Sequence, residues 1–401
     1  MTMQELAPAT AANKSADSPA HAHGPLSDLL VVDLTRVLAG PYCTLLLSDL
    51  GARVIKVETP AGGDDARGYG PFVDGKSGYF IAQNRGKESI ALNLKQPEDV
   101  EILHRILKRA DVIIENFRPG TMARLGLGWE DLHQRYPSLI YAAISGFGQT
   151  GPYAQRPAYD IIAQAMGGIM SVTGHEGGPT TRVGSSIGDI GAGLFTAIGI
   201  LSALHHRHDT GEGMMLDVGM LDCQIAMLEN GLMRYFASGK APKPIGSRHP
   251  AIAPFEPYRT ADRETVIACG NDQLFRQLCQ ALARPDIAAD PRFCENGKRS
   301  DNVLALKETL EIVLADHGAA YWLELLQAAN IPCAPINDIA QAATDPHVLA
   351  RNMILPLDDL QAPHLKVAGQ PIKMSAYADA LSRPAAPALD ANRDQILAEF
   401  L

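Results

Sequence analysis

Short apolar runs alternate with amphipathic stretches through the first part of the chain. Each run has the length and β-branched content of a buried strand, and the predicted strands cover residues 29–34, 53–58, 111–115 and 139–144. The intervening stretches carry apolar side chains at helical spacing, and the predicted helices cover residues 42–50, 97–110 and 121–136. Strands joined by crossover helices run parallel, so the pattern predicts an α/β fold with a mainly parallel sheet.

A long apolar helix is predicted next, at residues 189–208, with Leu194, Ile198, Leu201 and Leu204 along one stripe. The later predicted elements are a strand at 216–218, a helix at 221–237, a hairpin at 258–270, and helices at 272–283, 302–316 and 319–329. Five prolines between residues 239 and 257 indicate a linker inside this series. The chain therefore changes character near Ser238.

These patterns predict a domain organisation. Residues 1–25 are rich in Ala, Ser, Thr and Pro, and we expect a disordered tail there. The predicted parts that follow are a large domain at 26–238, a small domain at 245–330, and a C-terminal part at 331–401 that returns to the large domain.

Composition and charge narrow the function classes. The chain has 401 residues, is 46% apolar and carries a formal net charge of −10, which argues against nucleic-acid binding because that requires a basic surface. The six cysteines form no CxxC pair and show no zinc-ligand spacing, so no metal site is predicted. We find no secretory signal and no uninterrupted apolar run of membrane-spanning length, so we expect a cytoplasmic protein with no membrane partner.

The common nucleotide and hydrolase motifs are missing from the sequence. No GxGxxG follows a predicted strand, and neither a phosphate-binding GxxxxGK[ST] loop nor a GxSxG elbow occurs. A nicotinamide-dependent dehydrogenase is therefore poorly supported, despite the α/β pattern.

Asp189 is the most informative acid, because it follows Gly188 at the start of the long helix. Many aspartates at this position only cap a helix. The same position also allows chemistry, since a helix N-terminus favours an ionised carboxylate and offers free N–H groups to a developing oxyanion. The residues by themselves do not rank Asp189 above the other acids.

Six stretches of the sequence, in this order, resemble the class III CoA-transferase family, which includes formyl-CoA transferase and carnitine CoA-transferase. They cover residues 32–41, 50–58, 84–95, 115–120, 145–152 and 210–213. The resemblance extends from about residue 29 to residue 395. It implies a Rossmann-like large domain built from both chain ends, a smaller α+β domain, and an interlocked homodimer.

The resemblance also implies a mechanism and a binding site. Asp189 would be the nucleophile, forming a mixed anhydride with the acyl group of the donor and then an aspartyl-CoA thioester. Coenzyme A thioester and a carboxylic acid would be the substrates, with no further cofactor. The residues expected along bound CoA are Leu38, Ala39, Leu92, Lys95, Asn116, Phe117, Arg118 and Arg124, with Tyr159 near the thioester.

Departures from the family pattern bear on the substrate. Thr59 replaces the arginine that formyl-CoA transferases carry after the strand-end glutamate, so the phosphate contact expected at this point is not predicted here. The run of glycines in their mobile loop is missing, which makes formate and oxalate less favoured acceptors. Arg248 or His249 is a candidate to pair with the second carboxylate of a dicarboxylate. The alternative is that both are ordinary loop residues.

Two other functions stay open from the sequence. Related acyl-CoA racemases carry a catalytic histidine where this chain has Tyr159, and tyrosine is a poor carrier of the α-proton, which favours a transferase over a racemase or isomerase. A non-catalytic CoA-binding protein would have the same binding motifs without turnover.

Overall fold

A parallel sheet of six strands forms the centre of the computed structural model, which describes residues 24–401. Its strands, in chain order, are β1 (Leu30–Asp33), β2 (Arg53–Glu58), β5 (Glu88–Ala91), β6 (Val112–Glu115), β7 (Ile140–Ser145) and β8 (Met215–Gly219). Their spatial order is β5-β2-β1-β6-β7-β8. From β1 the chain adds strands on one side as far as β5, and from β6 it adds them on the other side as far as β8. The switch point lies between β1 and β6, and α/β folds bind ligands at such a point. The predicted α/β class with a parallel sheet is confirmed.

Helices cover both faces of this sheet, which explains why its strands read as continuous apolar runs. The connecting helices are α1 (Ala39–Asp49), α2 (Gly78–Asn84), α3 (Pro97–Leu107), α4 (Thr121–Arg124), α5 (Trp129–Arg135), α6 (Asp160–Met166), α7 (Ile169–Val172), α8 (Ile187–Thr210), α9 (Met220–Ala226) and α10 (Asn230–Ser238). A small hairpin, β3 (Phe72–Val73) and β4 (Lys76–Ser77), precedes α2. One core packs α3 and α5 on the sheet, and the other packs α1, α8 and α9.

The long helix α8 lies against α1 through small residues. A Cβ added to Gly193 would come within 2.8 Å of the Ala39 carbonyl oxygen, so glycine permits this close approach. By length and composition α8 could cross a membrane, but its small-residue face is buried in the core. Its other face leaves Leu194, Ile198 and Leu201 exposed.

A second, smaller sheet follows the proline-rich linker. Its strands are β9 (Phe255–Arg259), β10 (Glu264–Ala268) and β11 (Cys333–Pro335), all antiparallel. The helices packed with it are α11 (Asp272–Ala281), α12 (Pro285–Ala289), α13 (Asn296–Asp301), α14 (Val303–Leu314) and α15 (Ala319–Ala328). Strand β11 lies past residue 330, the predicted end of the small domain.

The C-terminal segment contacts the large sheet again. It contains α16 (Ile339–Thr344), α17 (Pro346–Ala350), β12 (Ile354–Asp358), β13 (Lys366–Ala368), β14 (Arg383–Pro384) and α18 (Arg393–Phe400). Asp390 and Asn392 accept hydrogen bonds from the backbone of β5, at Ala91 and Ser89. Residues from both ends of the chain therefore contribute to the large unit.

Two predicted helices are wrong in their extent. The helix predicted at 121–136 is two short helices, because Gly126 takes a left-handed conformation between them. The helix predicted at 221–237 breaks at Glu229, which also has a positive φ. Of the predicted tail at 1–25, residues 1–23 lie outside the described residues.

Candidate active site

A cleft opens at the carboxyl edge of the parallel sheet, beyond the neighbouring strands β1 and β6. It holds a cavity of about 270 Å³. The loops that follow β1, β6 and β7 line it together with the starts of α6 and α8. The lining includes Leu38, Ala39, Asn116, Phe117, Arg118, Tyr159 and Asp189. The structure therefore brings together seven of the residues that the resemblance assigns to CoA and catalysis.

A second cavity, of about 210 Å³, continues from the first on the β2 and β5 side. Arg36 and Phe117 line both cavities, so the two form one groove along the sheet edge. Leu92, Lys95 and Thr59 line the second cavity. An elongated groove with apolar walls and cations at its rim suits a long thioester that ends in phosphates.

The nucleophile candidate Asp189 lies in the first turn of α8, half-buried at the wall of the first cavity. Burial, together with the nearby carboxylate of Asp160, raises the pKa of Asp189 to about 7. This direction is opposite to the one expected from the helix N-terminus, because loss of water and the like charge of Asp160 both disfavour the ionised form.

Asp160 anchors the entry to α8. One of its carboxylate oxygens accepts a 2.8 Å hydrogen bond from the Gly188 backbone N–H, and the other accepts one from the Gln164 amide. The Gln164 carbonyl oxygen in turn accepts from the backbone N–H of Val183. This network holds the backbone next to Asp189, while the Asp189 carboxylate itself makes no hydrogen bond within residues 24–401. A carboxylate without partners, facing a cavity, is free to attack a bound carbonyl carbon.

A buried ion network supports the cleft from below. Asp33, fully buried, accepts hydrogen bonds from Thr35, Thr44 and Lys87. Burial alone would raise the pKa of Asp33, but the ammonium groups of Lys87 and Lys56 and the hydroxyl donors hold it well below 3.8. Burial lowers the pKa of Lys87 to about 8, against the attraction of Asp33.

The turn before Leu38 is strained, and this network holds it. Val37 has a φ of 68°, which is unusual for a β-branched residue. Its backbone N–H donates to the carboxylate of Asp64, and Asp64 pairs with the buried Lys56 at 2.9 Å. A strained backbone that several surrounding contacts hold in place is typical of functional sites. The turn directs Leu38 and Ala39 into the cleft beside Asp189.

Two predicted CoA contacts have clear local roles in the unliganded chain. The Asn116 side chain donates to the Arg36 carbonyl oxygen and accepts from the Arg36 N–H, so it ties the β1 and β6 loops together. Arg124 is exposed, donates to the Thr121 hydroxyl and lines neither cavity, although Thr121 does. Arg118 is exposed at the rim of the first cavity.

Tyr159 is 73% exposed and forms part of the cleft wall, so it does not pack inside the chain.

Arg248 and His249 line a different cavity, between the linker and the small unit. The sequence did not point to Arg36 or to Asp160. The Arg36 guanidinium lies over the Phe117 ring and pairs with Asp65. Arg36 and Asp160 both lie within or next to stretches already singled out, but only their contacts reveal their roles.

Known proteins resemble this chain over nearly its whole length. Residues 26–393 match the family model described as CoA-transferase family III. The acetyl-CoA:oxalate CoA-transferase of Acetobacter aceti is 49% identical over 384 residues, 96% of this chain and 97% of that protein. The succinyl-CoA:mesaconate CoA-transferase of Haloarcula hispanica is 41% identical, over 94% of this chain and 96% of that protein.

A solved structure agrees. A CAIB/BAIF family protein from Brucella suis, 40% identical, superposes with a TM-score of 0.83 over 94% of this chain and all of that one. The resemblance predicted from the sequence is therefore confirmed. The chain belongs to CoA-transferase family III, and it is a CoA-transferase.

Proposed function

We propose that the enzyme moves CoA from an acyl-CoA to a dicarboxylic acid, with Asp189 as the covalent nucleophile. The observation that carries this proposal is the half-buried Asp189 carboxylate, which faces a cleft at the switch point of the sheet and has no hydrogen-bond partner of its own among the described residues. A poorly solvated carboxylate is a better nucleophile than one that water or cations stabilise.

The proposed reaction needs no proton transfer. An Asp189 oxygen attacks the thioester carbonyl carbon, the C–S bond breaks, and a mixed anhydride and CoA thiolate result. The thiolate attacks the Asp189 carbonyl carbon, releasing the donor acid and leaving an aspartyl-CoA thioester. The acceptor carboxylate repeats these two steps in reverse and leaves with CoA. An exposed tyrosine at position 159 is compatible with this sequence, because no step requires an acid or a base there.

The backbone N–H groups of Ile187, Gly188 and Ile190 already donate to Ser185, Asp160 and Ser186, which leaves the Asp189 N–H for the oxyanion that forms on Asp189 or on the donor. Both anhydrides are sensitive to water, so the ligand itself must fill the cleft around Asp189. The proposed contacts of the adenine and phosphates are Leu92 and Lys95 in the second cavity, Arg118 at the rim of the first, and Arg124 beside Thr121.

The names of the relatives support a dicarboxylate acceptor, since they specify oxalate and mesaconate. The missing glycine run disfavours oxalate, but a relative at 49% identity is named for it, so oxalate belongs in the test. Arg248 and His249 are proposed to meet the second carboxylate. Both are cationic or hydrogen-bond-donating side chains on the same linker.

The test incubates the enzyme with acetyl-CoA and a panel of mono- and dicarboxylates and detects new acyl-CoAs by mass spectrometry. Asp189→Ala should lower transfer at least 10⁴-fold, as for loss of a covalent nucleophile. Asp209→Ala, at the exposed far end of the same helix, is the matched control and should keep full activity. Hydroxylamine added after the donor should leave a hydroxamate on residue 189. Full transfer by Asp189→Ala would sink the proposal.

We also propose that two copies form the interlocked homodimer implied by the family. The apolar side chains of Ile198 on α8 and of Met233 and Phe236 on α10 are exposed, and contact with a second copy would remove them from water. Light scattering should give about twice the 43.0 kDa chain mass. A monomer at micromolar concentration would contradict it.

A further inference from the structure

A small cavity of about 70 Å³ lies where the C-terminal segment meets the end of α1. Its walls come from residues 24–25, from Asp49 and Leu50, and from residues 370–383. Among the described residues, it shares no lining residue with either cavity of the groove that contains Asp189. One water needs only ~10–15 Å³ of such space, so this cavity has room for a species of a few atoms.

Two buried side chains that line this cavity each have a donor without a partner. Arg383 is 5% exposed, and its Nε has no hydrogen-bond acceptor within residues 24–401. Gln370 is 8% exposed, and its Oε1 accepts a 3.2 Å hydrogen bond from the Ile372 backbone N–H. That bond fixes the orientation of the amide and leaves Nε2 as the unpartnered donor. Buried donors normally have an acceptor, so these two point to an acceptor in the cavity.

The charges around the cavity do not balance. Both carboxylate oxygens of Asp49 accept hydrogen bonds from Arg85, and one of them also lies 3.2 Å from Nη1 of Arg383. Two buried guanidinium groups thus share one carboxylate. Asp379, the other acid in the cavity wall, pairs with Lys373 at 2.9 Å. These five groups together carry one more positive charge than negative charge.

Burial disfavours this uncompensated guanidinium. It lowers the pKa of Arg383, Asp49 acts against that shift, and Arg85 adds to it. An arginine nevertheless stays protonated at neutral pH, so the charge remains. A water in the cavity would accept hydrogen bonds from both donors but would leave the charge uncompensated. A monovalent anion would satisfy the donors and neutralise the charge together.

We propose that this cavity binds a small monovalent anion, a halide or a small carboxylate such as formate, which accepts hydrogen bonds from Arg383 and Gln370. The ion takes no part in the proposed transfer reaction. It lies at the junction of the two chain ends, where Arg85 also donates to the Ala368 carbonyl oxygen at 3.1 Å and Arg383 begins β14. Its binding should therefore stabilise the docking of the C-terminal segment on the large unit.

The experiment follows thermal unfolding while chloride or formate replaces gluconate at fixed ionic strength, so that screening of surface charges stays constant. Gluconate is monovalent but too large for the cavity. Chloride or formate should raise the Tm by ~1–4 °C, and the rise should saturate as for binding at one site. The anion with the lower half-saturating concentration shows whether the site prefers a halide or a carboxylate.

Three variants locate the effect. Arg383→Gln removes the excess charge and should abolish the rise in Tm. Gln370→Leu removes one donor and should increase the half-saturating concentration roughly 5-fold or more. Lys366→Gln, which alters an exposed charge on β13 outside the cavity, is the matched control and should keep the full rise. An undiminished rise in both Arg383→Gln and Gln370→Leu would overturn the site.

Anomalous diffraction from wild-type crystals soaked in bromide tests the position directly, even where Arg383→Gln fails to fold. A bromide peak within hydrogen-bond distance of Arg383 Nε and Gln370 Nε2, together with the saturable rise in Tm, is the expected result. Density for water alone at that position would overturn the proposal. A peak without any dependence of the Tm on the anion would mean an adventitious ion only, and it would overturn the stabilising role.

Discussion

Two aspartates near the same helix, α1, have opposite electrostatic environments. Asp33 lies at the end of β1 beneath α1, fully buried, with two lysines and two threonine hydroxyls around it. Asp189 faces the cavity at the start of α1, half-buried, with another aspartate as its nearest charged influence. The pKa of Asp33 is held below 3.8, and that of Asp189 is raised to about 7.

The difference shows how one residue type serves structure and chemistry in the same fold. Burial disfavours the charge in both positions, and the neighbours decide the outcome. Cations and hydroxyl donors satisfy Asp33 completely, so it has no reactivity left to offer. Asp189 lacks such partners, and its charge is costly to the folded enzyme but available to a substrate.

The first prediction concerns Asp33, the aspartate whose charge is fully paired. Asp33→Asn removes the charge that balances Lys87 and leaves buried cations uncompensated, so we expect a loss of about 3–5 kcal/mol in the free energy of unfolding. Urea unfolding followed by circular dichroism measures it. Asp28→Asn, an exposed aspartate before the same strand, should change stability by less than about 0.5 kcal/mol. A stable Asp33→Asn protein would show that the network is not structural.

The second prediction is that Asp189→Asn stabilises the enzyme. The folded pKa of Asp189 is above its unfolded value of 3.8, so its contribution to stability is fully present below about pH 3.8 and is lost as pH rises through about 7. The neutral amide avoids that loss. We expect the Tm of the variant to exceed that of the wild type by ~2–5 °C at pH 8 and by less at pH 5.

Differential scanning calorimetry at both pH values measures this difference. Asp209→Asn, exposed on the same helix, is the control and should show no dependence of the Tm difference on pH. A variant that is less stable than the wild type at pH 8 would mean that the Asp189 carboxylate is stabilised in a way that its contacts do not reveal.

Much of the parallel sheet could be predicted from the sequence, because buried strands of apolar residues are a local signal. The strand predicted at 53–58 agrees with Arg53–Glu58. Strand Glu88–Ala91 was not predicted, since its polar start breaks the apolar pattern and Arg53 satisfies Glu88 from the neighbouring strand. A local pattern does not predict a strand when the residue that pairs with its polar side chain is distant in the chain.

The same limit applies to the site. The position of Asp189 at a helix start could be predicted, and the resemblance supplied its role. The raised pKa could not be predicted, because it arises from burial and from Asp160 on a different helix. The lining of the cavity around Arg248 depends likewise on α10 and α13 meeting the linker, which no local pattern encodes.

The third prediction concerns the pH dependence of catalysis. Transfer requires ionised Asp189, and kcat/KM for the acyl-CoA donor reports ionisation of the free enzyme, so this ratio should rise with pH through a midpoint near 7. Asp160→Asn removes the like charge yet keeps an oxygen that can accept from Gly188, and it should lower the midpoint by ~1 pH unit. The pH profile of kcat/KM for acetyl-CoA measures it. An unmoved midpoint with unchanged kcat/KM would show that Asp160 does not influence the nucleophile.

The smallest expected effect comes from Arg182, a cation near this acidic pair. Its guanidinium lies 3.9 Å from the Asp160 carboxylate and is largely solvated. The Asp160 end of the pair is largely buried, but with the guanidinium 3.9 Å away and in water the pair contributes only a few tenths of a kcal/mol, so Arg182→Gln should raise the midpoint of the kcat/KM–pH profile by only ~0.2–0.5 pH unit. The shift should shrink in 0.5 M salt, which screens exposed charges, whereas the Asp160→Asn shift should persist. Arg156→Gln, which alters a cleft cation stacked on Tyr153 and not paired to Asp160, provides the comparison. A shift of a full unit from Arg182→Gln would mean that Asp189, like Asp33, depends on a cation after all, and that the contrast between the two aspartates is one of degree.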